Sequence, residues 1–146
     1  MGVYDRHWVE ILAAVLGSLG TIHALVVHSQ DGLDEITTTA KTYIAEEYQG
    51  KLKSYEINPE DFGFNKVKLE DLKGGTVADN VKIALDVLKG KPGPHRDMVL
   101  LNSAAAIYAA DKAGSIKEGI KLAAESIDSG RALKKLESLK GYSLKK

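Results

Sequence analysis

Two acids stand side by side at Asp34 and Glu35, just beyond the apolar run Ala24-Leu25-Val26-Val27 and the turn pair Asp31-Gly32. Neighbouring side chains on a strand point to opposite faces, but in a loop they can converge on one ion. Two carboxylates suit magnesium, which takes oxygen ligands and keeps substrate phosphates or water in its remaining positions. An apolar strand ending in such a turn is also where an open α/β sheet keeps its ligand. Local sequence alone favours a plainer reading, as solvated loop acids or a cap.

The other candidates divide in the same way. Gly74-Gly75-Thr76 precedes a helical pattern and could seat an anion, although helix entry alone accounts for it. The histidines are His7, His23, His28 and His95, and none lies at metal-ligand helical spacing from another. His28 ends the apolar run near Asp34, and a half-buried ring with a backbone partner is the simpler account. Asn102 and Ser103 interrupt an apolar helical pattern and should hydrogen-bond a neighbouring segment. Lys134, Lys135, Lys140, Lys145 and Lys146 make a basic end. Glu137 lies among them and Tyr142 is the one aromatic nearby, so the end reads as a solvated face and not a nucleic-acid site. The sequence carries no serine nucleophile elbow, no Walker loop and no dinucleotide glycine fingerprint.

These residues need elements to position them. His7 to Leu19 has helical spacing, with Val9, Leu12, Val15, Leu16 and Leu19 on one face, Ile11 beside them and Trp8 anchoring the first turn. Ala24 to Val27 is continuously apolar, which suits a strand buried on both faces, as in a parallel sheet. Thr37, Thr38 and Thr39 favour extended backbone. Thr42 to Ile57 reads as a hairpin across Gln49-Gly50, closed by Asn58-Pro59 and a single helical turn to Phe62. Leu69 to Gly75 reads as loop. A helix over Thr76 to Lys89 is capped by Thr76, with Val77, Val81, Ala84, Leu85 and Leu88 as its apolar face. Arg96 to Ala110 is apolar on most sides and reads as a buried helix. Ser115 to Ser129 opens with a capping box of Ser115 and Glu118, and Ala132 to Leu139 is a last amphipathic segment. Together they predict a single α/β domain over residues 1–146, a partial open sheet with covering helices and a β-hairpin. The strands are few for the helices they must cover, which suggests a larger fold.

The bulk numbers bound the function. The chain has 146 residues, 44% hydrophobic and 27% charged, with 20 basic against 20 acidic side chains. Such a balance gives no overall field to gather nucleic acid or an anionic membrane. Cysteine is absent, which removes disulfides, thiolate catalysis and cysteine-ligated metals and fits a cytoplasmic protein. Trp8 to Val27 is the most span-like stretch, but it contains Glu10, Gly17, Gly20 and His23 and has no signal-peptide pattern.

Five stretches, taken in order, are more specific: ALVVHSQDGLDEIT, INPEDFGF, LKGGTVADN, RDMVLLNSAAAIYAADKA and LAAESIDSGRALKKLESL. In this order they resemble the C-terminal part of the anthranilate phosphoribosyltransferases, and the resemblance covers nearly all of the chain from Tyr4 onward. It implies the C-terminal portion of a phosphoribosyltransferase / nucleoside phosphorylase-type α/β domain. It implies transfer of phosphoribosyl from phosphoribosyl pyrophosphate to anthranilate, in tryptophan biosynthesis, with magnesium as cofactor. The acids of the family's DGLDE motif fall on Asp34 and Glu35, which the resemblance makes metal ligands. Ser29 stands where a glycine is common in the family.

The resemblance also implies what the matched part leaves out. The family's glycine-rich pyrophosphate loop, its Lys-His-Gly-Asn segment, its anthranilate-contacting groups and its helical domain precede this part. The chain is thus expected to be inactive by itself and to self-associate through an exposed sheet edge. A non-catalytic binding module or truncated gene product with the same fold is the alternative, and a relative with a different acceptor is another.

Overall fold

The alternation of side chains along the first strand decides how the layers stack. The computed structural model describes residues 1–143. The first strand, β1 (His23–Ser29), sends Leu25 and Val27 to one face and Val26 to the other. Val26 packs with Val9 and Ala13 of the first helix, α1 (His7–Ser18), and with Ala45. Leu25 and Val27 pack with Ile36, Ile44, Ile57 and Leu101, the last from the helix α3 (Pro94–Ala109). Helices therefore cover both faces of β1, and this two-sided burial explains its unbroken apolar run.

The direction of the sheet departs from the expected parallel arrangement. β1 pairs antiparallel with β2 (Thr42–Tyr48), which pairs antiparallel with β3 (Lys51–Ile57), in the order β1-β2-β3. A continuous apolar run reports burial on two faces and carries no information about strand direction. The parallel pairing that does occur is a bridge between Gly2 and Val27 on the other edge of β1. The hairpin is as expected. Tyr48 pairs with Lys51, and Gln49 and Gly50 both take positive φ, 52° and 79°, as a tight two-residue turn between twisted strands requires.

Two further helices complete the α3 side: α2 (Val77–Leu88) and α4 (Ile116–Asp128), followed by α5 (Arg131–Ser143). Thr76 and Ser115 cap α2 and α4 as expected, each accepting from the backbone N–H three residues on. Val87, Leu100, Ala123 and Ile127 join α2, α3 and α4. Gly119 lets α4 approach α3 closely, since a Cβ there would sit 2.6 Å from the Ala104 carbonyl oxygen.

Several faces differ from the sequence pattern. Of the expected α1 face, Val9 is buried and Leu12 and Leu16 pack against the same cluster together with Ala13, whereas Val15 and Leu19, the residue just past the helix, are exposed. On α2, Val77 and Val81 are exposed and Val87 is the buried residue, since α3 and α4 reach only its C-terminal end. Helix α3 begins at Pro94, which supplies no N–H and is suited to a first turn, and is buried on one side only. One-turn 3-10 helices form at Pro59–Phe62, as expected, and at Leu69–Leu72 within the expected loop. Thr37 to Thr39 form no strand; the hydroxyls of Thr37 and Thr39 are engaged in the loop network described below. Of the basic end, Lys145 and Lys146 lie outside the described residues.

Candidate functional site

The loop leaving β1 is built around Asp31, and Asp34 and Glu35 ride on it. The Asp31 carboxylate accepts the hydroxyls of Ser29 and Thr39, the hydroxyl of Thr37 at 3.2 Å and the Leu33 N–H at 3.4 Å. Ser29 Oγ also accepts from Leu33 N at 3.0 Å. Burial pushes the Asp31 carboxyl up, and the Ser29 and Thr39 hydroxyls, with Leu33 N–H and Thr37, outweigh it, so it stays below its ordinary value. The segment from Ser29 to Thr39 is thereby held together by side-chain bonds.

Beyond the acids the chain is fixed by α3. Asn102 Oδ1 accepts Ile36 N–H at 2.9 Å, and Asn102 Nδ2 donates to the Ile36 carbonyl at 2.6 Å. Before them the N-terminal segment lies against the loop. A Cβ on Gly2 would fall 1.5 Å from the Asp34 carbonyl oxygen, so only glycine admits this approach. Met1 O accepts Val27 N–H at 2.9 Å and Val3 N–H donates to Val27 O at 3.0 Å, which ties that segment to β1.

Asp34 and Glu35 themselves are exposed. The ion pairs among the described residues involve other acids. Glu35 borders two cavities, of about 650 Å³ toward α2 and about 540 Å³ toward β1 and α3. Among the described residues no group of three or more His, Cys, Asp or Glu side chains could enclose a metal by itself. Two open carboxylates on consecutive residues fit magnesium, whose other positions go to ligand oxygens or water. They do not fit a closed structural site.

The remaining candidates resolve into supports. Gly74 and Gly75 do open a helix, but the N-terminus of α2 is filled by its own acid: Asp79 accepts Thr76 N–H at 3.0 Å and the Thr76 hydroxyl at 2.7 Å. Gly74 lies on the larger cavity, bordered too by His95 and Asn80. His28 Nδ1 bonds the Val3 carbonyl at 2.9 Å, so its ring holds the N-terminal segment. His23 is buried at the far end of β1, 2.9 Å from Asp111 and 3.3 Å from Glu46. In the sequence Asp31 reads only as half of a turn pair. The sign of its role in the sequence is the surplus of nearby hydroxyls, Ser29, Thr37 and Thr39, which need an acceptor when the loop closes.

Open acids in the loop after a buried strand, beside two cavities, leave room for a ligand. The chain belongs to the glycosyl transferase family, a/b domain, whose sequence model matches residues 1–133. It is 49% identical over 142 residues to anthranilate phosphoribosyltransferase of Symbiobacterium thermophilum, covering 97% of this chain and 42% of that protein. It is 51% identical to the enzyme of the same name from Clostridium kluyveri, with the same coverage. Among solved structures it is similar to anthranilate phosphoribosyltransferase from Thermus thermophilus, with a TM-score of 0.84 and 39% identity over 94% of this chain and 40% of that one. It is also similar to the Saccharomyces cerevisiae enzyme in complex with phosphoribosyl pyrophosphate and magnesium, with a TM-score of 0.83 and 30% identity. The chain thus spans about two fifths of the length of the curated relatives it matches.

Proposed function

We propose that the chain supplies the α/β part of an enzyme that transfers phosphoribosyl from phosphoribosyl pyrophosphate to the amino nitrogen of anthranilate, a step of tryptophan biosynthesis. The observation that carries this reading is the pair of open acids at the end of β1, in a chain about half identical to anthranilate phosphoribosyltransferases over 97% of its length. Asp34 and Glu35 are the residues that would hold magnesium. When bound, magnesium supplies positive charge beside the departing pyrophosphate. The chain's own part is positional. Asp31 gathers the loop, Gly2 admits the N-terminal segment against Asp34, and Asn102 fixes the backbone after Glu35.

Transfer requires both substrates to be held in line, and the relatives are more than twice as long as this chain. The 146 residues by themselves are expected not to consume anthranilate, and turnover above background in a fluorescence assay would overturn that expectation. Within the reading, the location is cytoplasmic and neither nucleic acid nor membrane is a partner. No helix among the described residues is long and apolar enough to cross a membrane. Among the described residues β3 has no strand on its outer edge, and self-association there is a further expectation, checked by light scattering across concentration.

Calorimetric titration of magnesium in the presence of phosphoribosyl pyrophosphate tests the metal assignment. Wild type should give a binding isotherm that Asp34→Ala with Glu35→Ala abolishes. Equal responses remove the assignment.

A further inference from the structure

We propose that Asn102 of α3 is a positioning residue for the acid pair, through its two hydrogen bonds to the backbone of Ile36. This rests on the reading of Asp34 and Glu35 as magnesium ligands and names the group that presents them.

The geometry is specific. Asn102 Oδ1 faces a donor, Ile36 N–H, at 2.9 Å, and Nδ2 faces two acceptors, the carbonyls of Ile36 at 2.6 Å and Met98 at 3.0 Å. The reversed amide would set oxygen against two carbonyls and nitrogen against an N–H, so a single orientation is allowed. The Ile36 side chain is 1% exposed and packs with Leu101, the residue before Asn102. Ile36 is therefore fixed by both backbone and side chain. The Glu35–Ile36 peptide is planar, so fixing Ile36 N–H fixes that peptide plane and with it the position of the Glu35 Cα. Glu35 and Asn102 both line the two flanking cavities. Asp31 closes the loop locally on the near side, whereas Asn102 is the tie that carries α3 to the far side, across 66 residues. Groups that orient metal ligands from behind commonly change metal affinity by about tenfold to a hundredfold when replaced.

The test compares wild type, Asn102→Leu, Ser103→Ala and the Asp34→Ala, Glu35→Ala double variant in the full chain. Ser103 is the control, a neighbour on α3 beside the same cavity. Manganese binding is read by electron paramagnetic resonance with inorganic pyrophosphate present, and amide exchange at Glu35 and Ile36 by NMR. The expected result is manganese affinity weaker by about tenfold or more in Asn102→Leu, with no change in Ser103→Ala. Exchange at Ile36 should accelerate in Asn102→Leu while β1 amides keep their protection. Wild-type affinity in Asn102→Leu, or unchanged protection at Ile36, overturns the proposal. If wild type binds no more manganese than the double variant, the magnesium reading fails, and the exchange measurement alone decides whether Asn102 positions Glu35. Should Asn102→Leu not fold, Asn102→Asp, which keeps the acceptor and loses the donors, is judged by the same two criteria.

Discussion

Strand β1 begins and ends in carboxylate clusters built on opposite plans. At its start, Glu46 is 8% exposed and its oxygens are taken: Tyr108 donates at 2.6 Å and Tyr55 at 2.8 Å, and His23 Nε2 lies 3.3 Å away. The His23 ring also meets the rings of Tyr48 and Tyr108 edge-on. At its end, Asp31 is likewise saturated, but the acids that follow it are open. A carboxylate whose acceptor positions are filled from within holds the fold together. One whose backbone is fixed and whose oxygens stay free is available to a ligand. The difference lies in the partners and not in the residue type.

Breaking the closed cluster should have the largest effect. Glu46→Leu leaves two tyrosine hydroxyls and His23 without their shared acceptor, and should cost about 3 kcal/mol in urea unfolding. Asp31→Ala leaves the hydroxyls of buried Ser29 and Thr37, and that of Thr39, without their common acceptor, and should cost about 2 kcal/mol. The acid limb sharpens the contrast. For Glu46, burial acts upward and the Tyr108 and Tyr55 hydroxyls, with His23, outweigh it, so its carboxyl lies below the ordinary 4.5; Asp31 lies below the ordinary 3.8. A carboxyl lowered by folding contributes stability above its ordinary value and loses it as pH falls through the folded value. Unfolding free energy should be level above about pH 5 and fall below it, and Glu46→Leu should flatten that limb. The smallest effect belongs to the open pair: Asp34→Ala with Glu35→Ala should change stability by no more than about 0.5 kcal/mol. A loss comparable to that of Glu46→Leu would end the distinction between the two clusters.

Much of this was legible in the residues, and the limits have physical reasons. The hairpin, the Thr76 and Ser115 caps and the bonding role of Asn102 follow from local chemistry, and each is found. The antiparallel pairing of β1 was not legible, because burial on two faces looks the same in either direction. The exposed Val15 of α1 and Leu19 just after it, and Val77 and Val81 of α2, show that helical periodicity names an apolar stripe without saying how far a neighbour reaches along it. The acids were visible as a pair, but Asp31, which organises them, was hidden by its own turn signal. Its donors come from both sides along the chain and converge only when the loop closes.

The separation of Asn102 from Ile36 also has a consequence in time. The β2–β3 hairpin closes across two residues, and β1 joins it through a loop of modest length, so the sheet can form from contacts close in sequence. The tie from Asn102 to Ile36 must close a loop of 66 residues, and it cannot form until α3 docks. The acids therefore reach their final placement late in folding, after the strand that carries them. Pulse-labelled hydrogen exchange during refolding should find the Val26 amide protected before the Ile36 amide, and the reverse order would exclude this sequence of events.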